Sequence, residues 1–235
     1  GNRHRRHGAH QAASVVRAFE EVEGLYPGSS VEVAVCGSGG AAVAAALDVP
    51  FVQEVVANAI AIRDMHPQVR CAIELGGQDA KMIFFHKDEA TGALDVSDMR
   101  MNGSCAGGTG AFVDEIAAVL EVPVEGFDTL AHEGATVYDI SGRCGVYAKT
   151  DIQPLLNQGV PRADLALSSM HAIAKQTIGG LAQGLDITAP VIFEGGPLTF
   201  NPTLVRVFAE RLGLEGDDVV VPERPEMMVA IGAAL

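Results

Sequence analysis

Tryptophan is absent from this 235-residue chain, only three tyrosines occur, and positive charge is scarce, with 16 Lys and Arg against 30 Asp and Glu and a formal charge of −14. Each shortage excludes something. The acidic balance argues against a general nucleic-acid or anionic-membrane surface. No apolar run approaches the ~20 residues needed to span a bilayer. The His- and Arg-rich start, Gly1-Asn2-Arg3-His4-Arg5-Arg6-His7, does not read as a signal peptide. The expectation is a cytoplasmic protein without a membrane or nucleic-acid partner. His4, His7 and His10 with the neighbouring arginines read as a solvated terminus. Four widely spaced cysteines do not make a secreted disulfide scaffold. The Walker lysine loop and the Rossmann fingerprint in its strand–helix setting are missing, so phosphate binding here needs another design.

What is present is glycine, 27 residues of it, and alternating strand and helix signals. Val31 to Cys36 is a β-branched run, followed by Gly37-Ser38-Gly39-Gly40 and an Ala-rich helix to Leu47. A helix is expected from Pro50 to about Ile62. Arg70 to Leu75 and Lys81 to His86 read as a hairpin across Gly76-Gly77-Gln78-Asp79. Leu94 to Met101 follows as a strand, Ala111 to Leu120 as a helix, and Val137 to Ile140 as a short strand. Ile152 to Gln158, Ala163 to Gln183 and Asn201 to Leu212 read as helices. Pro190 to Phe193 is a buried strand, Val219 to Val221 another, and Pro225 to Leu235 a closing helix. The order gives an α/β fold. Cys36 and Cys71 lie in apolar runs and read as core.

Two cysteines sit differently. Cys105 lies in Asn102-Gly103-Ser104-Cys105-Ala106-Gly107-Gly108-Thr109-Gly110, and Cys144 in Ser141-Gly142-Arg143-Cys144-Gly145. Small neighbours let the backbone approach a bulky inorganic ligand. Cys105 also precedes a helix N-terminus, a position that favours the thiolate. Two ligands do not fill a four-coordinate site, so a metal or cluster here needs two more from a second copy. The remaining glycine turns suit a nucleotide. Gly76 and Gly77 let N–H groups approach phosphate oxygens, while Gln78 and Asp79 hold a hydrated Mg²⁺ or orient water. Gly108, Thr109 and Gly110 open a helix, an anion-holding position. Gly195 and Gly196, after a buried strand, offer a flat backbone for adenosine. Asp114 and Glu115 suit the N-terminus of their own helix.

Taken in order, Glu74 to Lys81, Met101 to Phe112, Ile140 to Val146, Val191 to Gly196 and the ending Met228 to Leu235 resemble the activator ATPases of 2-hydroxyacyl-CoA dehydratases, the BadF/BadG/BcrA/BcrD ATPase family. The resemblance runs from about residue 31 to the C-terminus. It implies an actin/hexokinase/Hsp70-like (ribonuclease H-like) ATPase fold that binds ATP or ADP with Mg²⁺. It also implies a homodimer sharing one 4Fe–4S cluster through Cys105 and Cys144 of each copy. The implied activity is an ATP-driven transfer of a low-potential electron to an acyl-CoA dehydratase or a benzoyl-CoA reductase-type partner, from a donor such as ferredoxin or flavodoxin. Glu54 falls in the segment resembling the family's helix before the second phosphate loop, and is a catalytic candidate with Gln78 and Asp79.

Two departures go with the resemblance. The family's opening Asp-x-Gly-Ser/Thr-Ser/Thr hairpin has no counterpart here, and Glu74 stands where the family has Asp. The expectation is therefore a partial or linker region over residues 1–30 and an ATPase domain over 31–235, truncated or excised from a longer chain. Two other functions compete: a degenerate, non-catalytic domain of a larger activase, and a small-molecule (sugar) kinase on the same fold. The kinase reading gives no reason for paired cysteines in glycine turns.

Overall fold

In a computed structural model of the chain, residues 10–102 and 107–235 are described. They divide into two compact units, one reaching to Met65 and completed by Met227–Leu235, the other spanning His66–Glu226.

The first unit is helical. Helix α1 covers Gln11–Leu25, inside the stretch 1–30 that reads from the sequence as a partial or linker region. Helix α2, Gly40–Leu47, follows the Gly37–Gly40 turn as expected. Helix α3, Glu54–Met65, starts four residues later than Pro50. The C-terminal helix Met228–Ala234 packs on α3 so closely that a Cβ on Gly232 would overlap the Ala57 carbonyl oxygen. Ala57 and Ala61 are fully buried at this crossing, and small side chains are what let two helices approach backbone to backbone. The Val31 to Cys36 run does not form a strand. Its one ladder contact is a bridge from Val35 to Phe51, with Val35 N–H donating to the Pro50 carbonyl at 2.9 Å. A β-branched run gives propensity, but a strand exists only where a second strand takes its hydrogen bonds.

The second unit is built on a five-stranded mixed sheet. Its strands are β1 (Cys71–Leu75), β2 (Ala80–Lys87), β3 (Leu94–Met101), β4 (Val191–Glu194) and β5 (Val219–Val220), in the order β3-β2-β1-β4-β5. β1 pairs antiparallel with β2 and parallel with β4, and β4 runs parallel to β5. One sheet face presents Ile73 and Leu75 of β1, Met82 and Phe84 of β2, and Val191 and Phe193 of β4 to the core. That core is completed by helices α4 (Gly110–Val119), α5 (Phe127–His132), α6 (Gly145–Asn157), α7 (Arg162–Leu181), α8 (Gly196–Phe200) and α9 (Pro202–Leu212). Phe193 and Phe208 of α9 meet with ring centroids 5.9 Å apart and planes tilted by 48°. The other face carries Glu74, Lys81 and Glu194, all buried.

Expected Val137 to Ile140 is extended but not a strand. Its stretch is held by helix side chains. Ala135 and Thr136 N–H groups donate to Asp164 Oδ1 at 2.8 and 3.1 Å, and Tyr138 N–H to Ser168 Oγ at 2.8 Å. Buried backbone donors must be paired, and here α7 pairs them in place of a neighbouring strand. Helix α6 begins earlier than expected, directly after Cys144. Among the described residues no helix is long and apolar enough to cross a membrane.

Candidate functional site

The glycine turns converge at one end of this sheet. Parallel pairing sets Glu74 of β1 beside Glu194 of β4, so Gly76 and Gly195 leave the sheet side by side. The β1–β2 turn closes with Gly76 N–H donating to the Asp79 carbonyl at 2.8 Å. Gly77 and Gln78 are exposed at its tip. Gly195 has φ +93°, and a Cβ there would overlap the Leu75 carbonyl. Only glycine fits both the dihedral and the space. A Cβ on Gly196 would meet nothing nearer than the Phe200 ring at 3.8 Å, and that ring is 57% exposed. Thr199 Oγ donates to the Gly195 carbonyl at 2.9 Å and sits 3.3 Å from Glu226 Oε2.

The start of α4 joins the same cluster. Gly110 and Ala111 N–H groups each donate to the carbonyls of Gly76 and Gly77, respectively, at 2.9 Å. Phe112 and Val113 N–H groups turn back to the Thr109 carbonyl at 3.1 and 3.4 Å. The first amides of this helix therefore fasten the hairpin tip. They are not the open anion cradle that the helix-opening glycines suggest, because the donors an anion needs are already bonded. Thr109 is fully buried, and Gly108, at φ +81°, lies against Thr177 of α7, 2.6 Å from Thr177 Oγ to its Cβ position.

Beneath the tip is an ionic group that the sequence pattern did not single out. Lys81 Nζ lies 3.0 Å from Glu74 Oε2 and 2.9 Å from Asp79 Oδ1. Lys81 is 2% exposed. A lysine is almost never buried unless paired. In the sequence Lys81 is a single charge at the head of the apolar run Met82 to Phe85, and its place opposite Glu74 comes from the antiparallel register.

The turn holding Cys144 packs against Gly107. A Cβ on Gly107 would overlap the Arg143 carbonyl oxygen and lie 2.5 Å from that of Gly142. The turn holding Cys144 thus abuts the chain two residues beyond Cys105. Cys105 itself lies outside the described residues, as do His4 and His7. Cys144 is half-buried, with extended backbone, as the N-cap of α6. Its turn is anchored by Ser141 N–H donating to Asp151 Oδ2 at 2.9 Å and by Gly142 packed on the Ala172 carbonyl. Glu115 lies over Gly145, so its carboxylate complements the N-terminus of α6 and not that of its own helix. Among the described residues no group of three or more His, Cys, Asp or Glu side chains could hold a metal ion.

Glu54 begins α3 in the other unit, beside Gly37, while Gln78 and Asp79 belong to the sheet unit. Lys149 is exposed. Cys36 is half-buried and not the core residue expected, whereas Cys71 is fully buried and burial pushes its thiol up to about 12. Native-state alkylation at pH 8 followed by peptide mapping should accordingly label Cys144 and leave Cys71 unmodified, because thiolate is the reacting form. Equal labelling of both would contradict this packing. A crevice of about 570 Å³ lies at the opposite end of the sheet, around Arg70, His86, Lys87 and Asp98, with charges of both signs and none of the glycine turns.

The model of the BadF/BadG/BcrA/BcrD ATPase family matches residues 2–235. The 2-hydroxyisocaproyl-CoA dehydratase activator of Clostridioides difficile is 28% identical over 184 residues, covering 78% of this chain and 65% of that protein. The chain thus spans about two thirds of that relative's length. The crystal structure of Acidaminococcus fermentans (R)-2-hydroxyglutaryl-CoA dehydratase component A superposes with a TM-score of 0.80 at 26% identity, over 93% of this chain and 81% of that one. The structure of the Clostridium difficile 2-hydroxyisocaproyl-CoA dehydratase activator with bound ADPNP gives 0.78 at 25% identity, over 93% and 78%. The fold is the actin/hexokinase/Hsp70-like ATPase fold.

Proposed function

The chain belongs to the BadF/BadG/BcrA/BcrD ATPase family, and from that premise we propose that it is an ATP-dependent activator that delivers a low-potential electron to an acyl-CoA dehydratase or a related reductase. Adenosine lies along Gly195 and Gly196, with the phosphates at the Gly76–Gly77 tip. Mg²⁺ sits near Gln78 and Asp79. Gly110, with Ala111, holds the tip in place, Gly108 and Thr109 lead into the helix that carries it, and Glu54 is kept as a candidate catalytic acid.

Cys105 and Cys144 are the proposed ligands of a 4Fe–4S cluster shared by two copies. The donor set fits such a group: two thiols in small-residue turns, one at the N-terminus of α6, where the dipole offsets thiolate charge. When bound, the cluster supplies a one-electron carrier. The chain's own residues hold it, exclude bulky side chains around it and connect it to the nucleotide end. An electron donor such as ferredoxin or flavodoxin completes the proposed cycle.

The observation that carries this reading is the span Gly107–Gly110. At one end it abuts Gly142 and Arg143 in the Cys144 turn; at the other it is hydrogen-bonded to Gly76. Four residues thus link the turn proposed for phosphate to the turns proposed for the cluster. A displacement of the tip on nucleotide binding or hydrolysis is carried directly to the cysteine turns. The partner's identity follows from the chemistry of the relatives and not from a substrate pocket in this chain.

The test is anaerobic reconstitution with iron and sulfide. About four irons per dimer are expected from the ligand count of a cubane cluster. Cys105→Ser and Cys144→Ser should each abolish uptake, whereas Cys71→Ser should not. A Cys105/Cys144 double variant that still takes up a full cluster would overturn the proposal.

A further inference from the structure

We propose that Lys81 is a positioning residue: it holds the Asp79 carboxylate at the hairpin tip in the orientation that receives a divalent cation together with a nucleotide's phosphates. The proposal rests on the nucleotide reading of that tip. It is carried by the geometry of one buried ammonium bridging the two sides of a turn.

Glu74 is the second-to-last residue of β1 and Asp79 the last residue of the turn before β2. Lys81 stands directly opposite Glu74 in the antiparallel register. Its Nζ reaches Glu74 Oε2 at 3.0 Å and Asp79 Oδ1 at 2.9 Å. One cation therefore ties the strand entering the turn to the residue leaving it. The backbone adds a second constraint, since Gly76 N–H donates to the Asp79 carbonyl. Asp79 Oδ1 also lies 2.6 Å from where a Cβ on Gly76 would be, so the carboxylate is folded over the turn and glycine is needed beneath it.

Two consequences follow. Among the described residues, Asp79 Oδ1 is committed to Lys81 and Oδ2 accepts no hydrogen bond. The Asp79 side chain is 22% exposed while that of Lys81 is 3% exposed. The buried ammonium thus fixes one oxygen from below and leaves the other at the solvent side. Charge points the same way. Glu74 and Asp79 carry two negative charges and Lys81 one positive, which leaves a single net negative charge among these three groups, with the buried Glu194 beside Glu74 on the neighbouring strand. That is enough to attract a hydrated cation already neutralised in part by phosphate, and less than a bare acidic pair presents. A lysine serving only to neutralise Glu74 has no need to reach across the turn to Asp79.

The experiment measures ADP binding by calorimetry with saturating Mg²⁺ and in EDTA, taking binding without metal as each variant's own reference. In the wild type, Mg²⁺ should strengthen binding. Lys81→Met and Asp79→Asn should each remove that gain, by about tenfold or more, and the double variant should lose no more than either alone, as expected for residues acting as one unit. Should Lys81→Met fail to fold because Glu74 is left uncompensated, Glu74→Gln/Lys81→Met removes both charges and carries the same comparison. Retention of the full Mg²⁺ gain in the Lys81 variant, or losses that add in the double variant, overturns the proposal. A wild type with no Mg²⁺ gain removes the nucleotide reading of the tip and this role of Lys81 with it, a result distinct from a gain that survives the substitution.

Discussion

Replacing Gly195 with alanine is expected to lower the melting temperature by roughly 10 °C, from positive-φ strain and steric overlap of about 1–3 kcal/mol each on a unit of this size. Gly195 has φ +93°, and the added methyl would be driven into the Leu75 carbonyl on the adjoining strand. Relief requires separating β1 from β4 at the end where both deliver their glycine turns. Gly195 N–H also donates to the Pro225 carbonyl at 3.0 Å, so rotation of the peptide sacrifices a second contact. The neighbouring Gly196→Ala is the control. Its methyl meets only the Phe200 ring edge at 3.8 and 4.0 Å, ordinary van der Waals contact. Differential scanning fluorimetry of both variants decides the matter. A Gly195→Ala protein melting within about 2 °C of wild type, less than one kcal/mol on this scale, would show that the turn relaxes freely.

The second large effect concerns the cysteine turns. Gly107→Ala is expected to cut iron incorporation after anaerobic reconstitution from about four atoms per dimer to below about one. A methyl at Gly107 overlaps the Arg143 carbonyl and presses on that of Gly142. The turn on the far side cannot retreat, because Gly142 already rests on the Ala172 carbonyl of α7. The two turns must therefore part, and thiols held on them lose their common distance. Packing strain of this kind typically costs about 1–3 kcal/mol, so the variant should still fold. Iron and sulfide analysis alongside circular dichroism separates loss of the site from loss of the fold. A folded Gly107→Ala protein with a full complement of iron would show that the abutment does not govern the cysteine spacing.

The difference between these glycines was not visible in the chain itself. Gly76, Gly107, Gly195 and Gly196 read alike as members of glycine turns. In the fold, Gly195 is enforced by φ and by Leu75, Gly107 by carbonyls more than 30 positions away, and Gly196 by neither. Lys81 is a similar case. It belongs to a strand that the β-rich pattern identified, but its burial between Glu74 and Asp79 depends on hairpin register. The cluster proposal drew on residue types, with Cys105 and Cys144 set in small-residue turns. The abutment of Gly107 against the Cys144 turn was not legible in those residue types.

The order of elements was legible in the chain wherever local signals agree. Apolar runs bounded by glycine gave β1, β2 and β4, a long Ala-, Leu- and Ile-rich stretch gave α7, and shorter helical stretches gave α4 and α9. Pro202 at the first turn of α9 and Gly213 in the left-handed region after it are local punctuation that needs no tertiary help. Tertiary structure decided everything that depends on a partner supplied from elsewhere. Val31 to Cys36 has strand propensity but one bridge, and Val137 to Ile140 gives its hydrogen bonds to no strand, while Asp164 and Ser168 of α7 hold the stretch leading through Tyr138. The opening amides of α4 have the form of an anion site, yet they are bonded to the hairpin tip. The physical reason is the same throughout: propensity and residue type are properties of a segment, whereas a hydrogen-bond partner, a buried counter-charge or an overlapping carbonyl is a property of whatever the fold sets beside it.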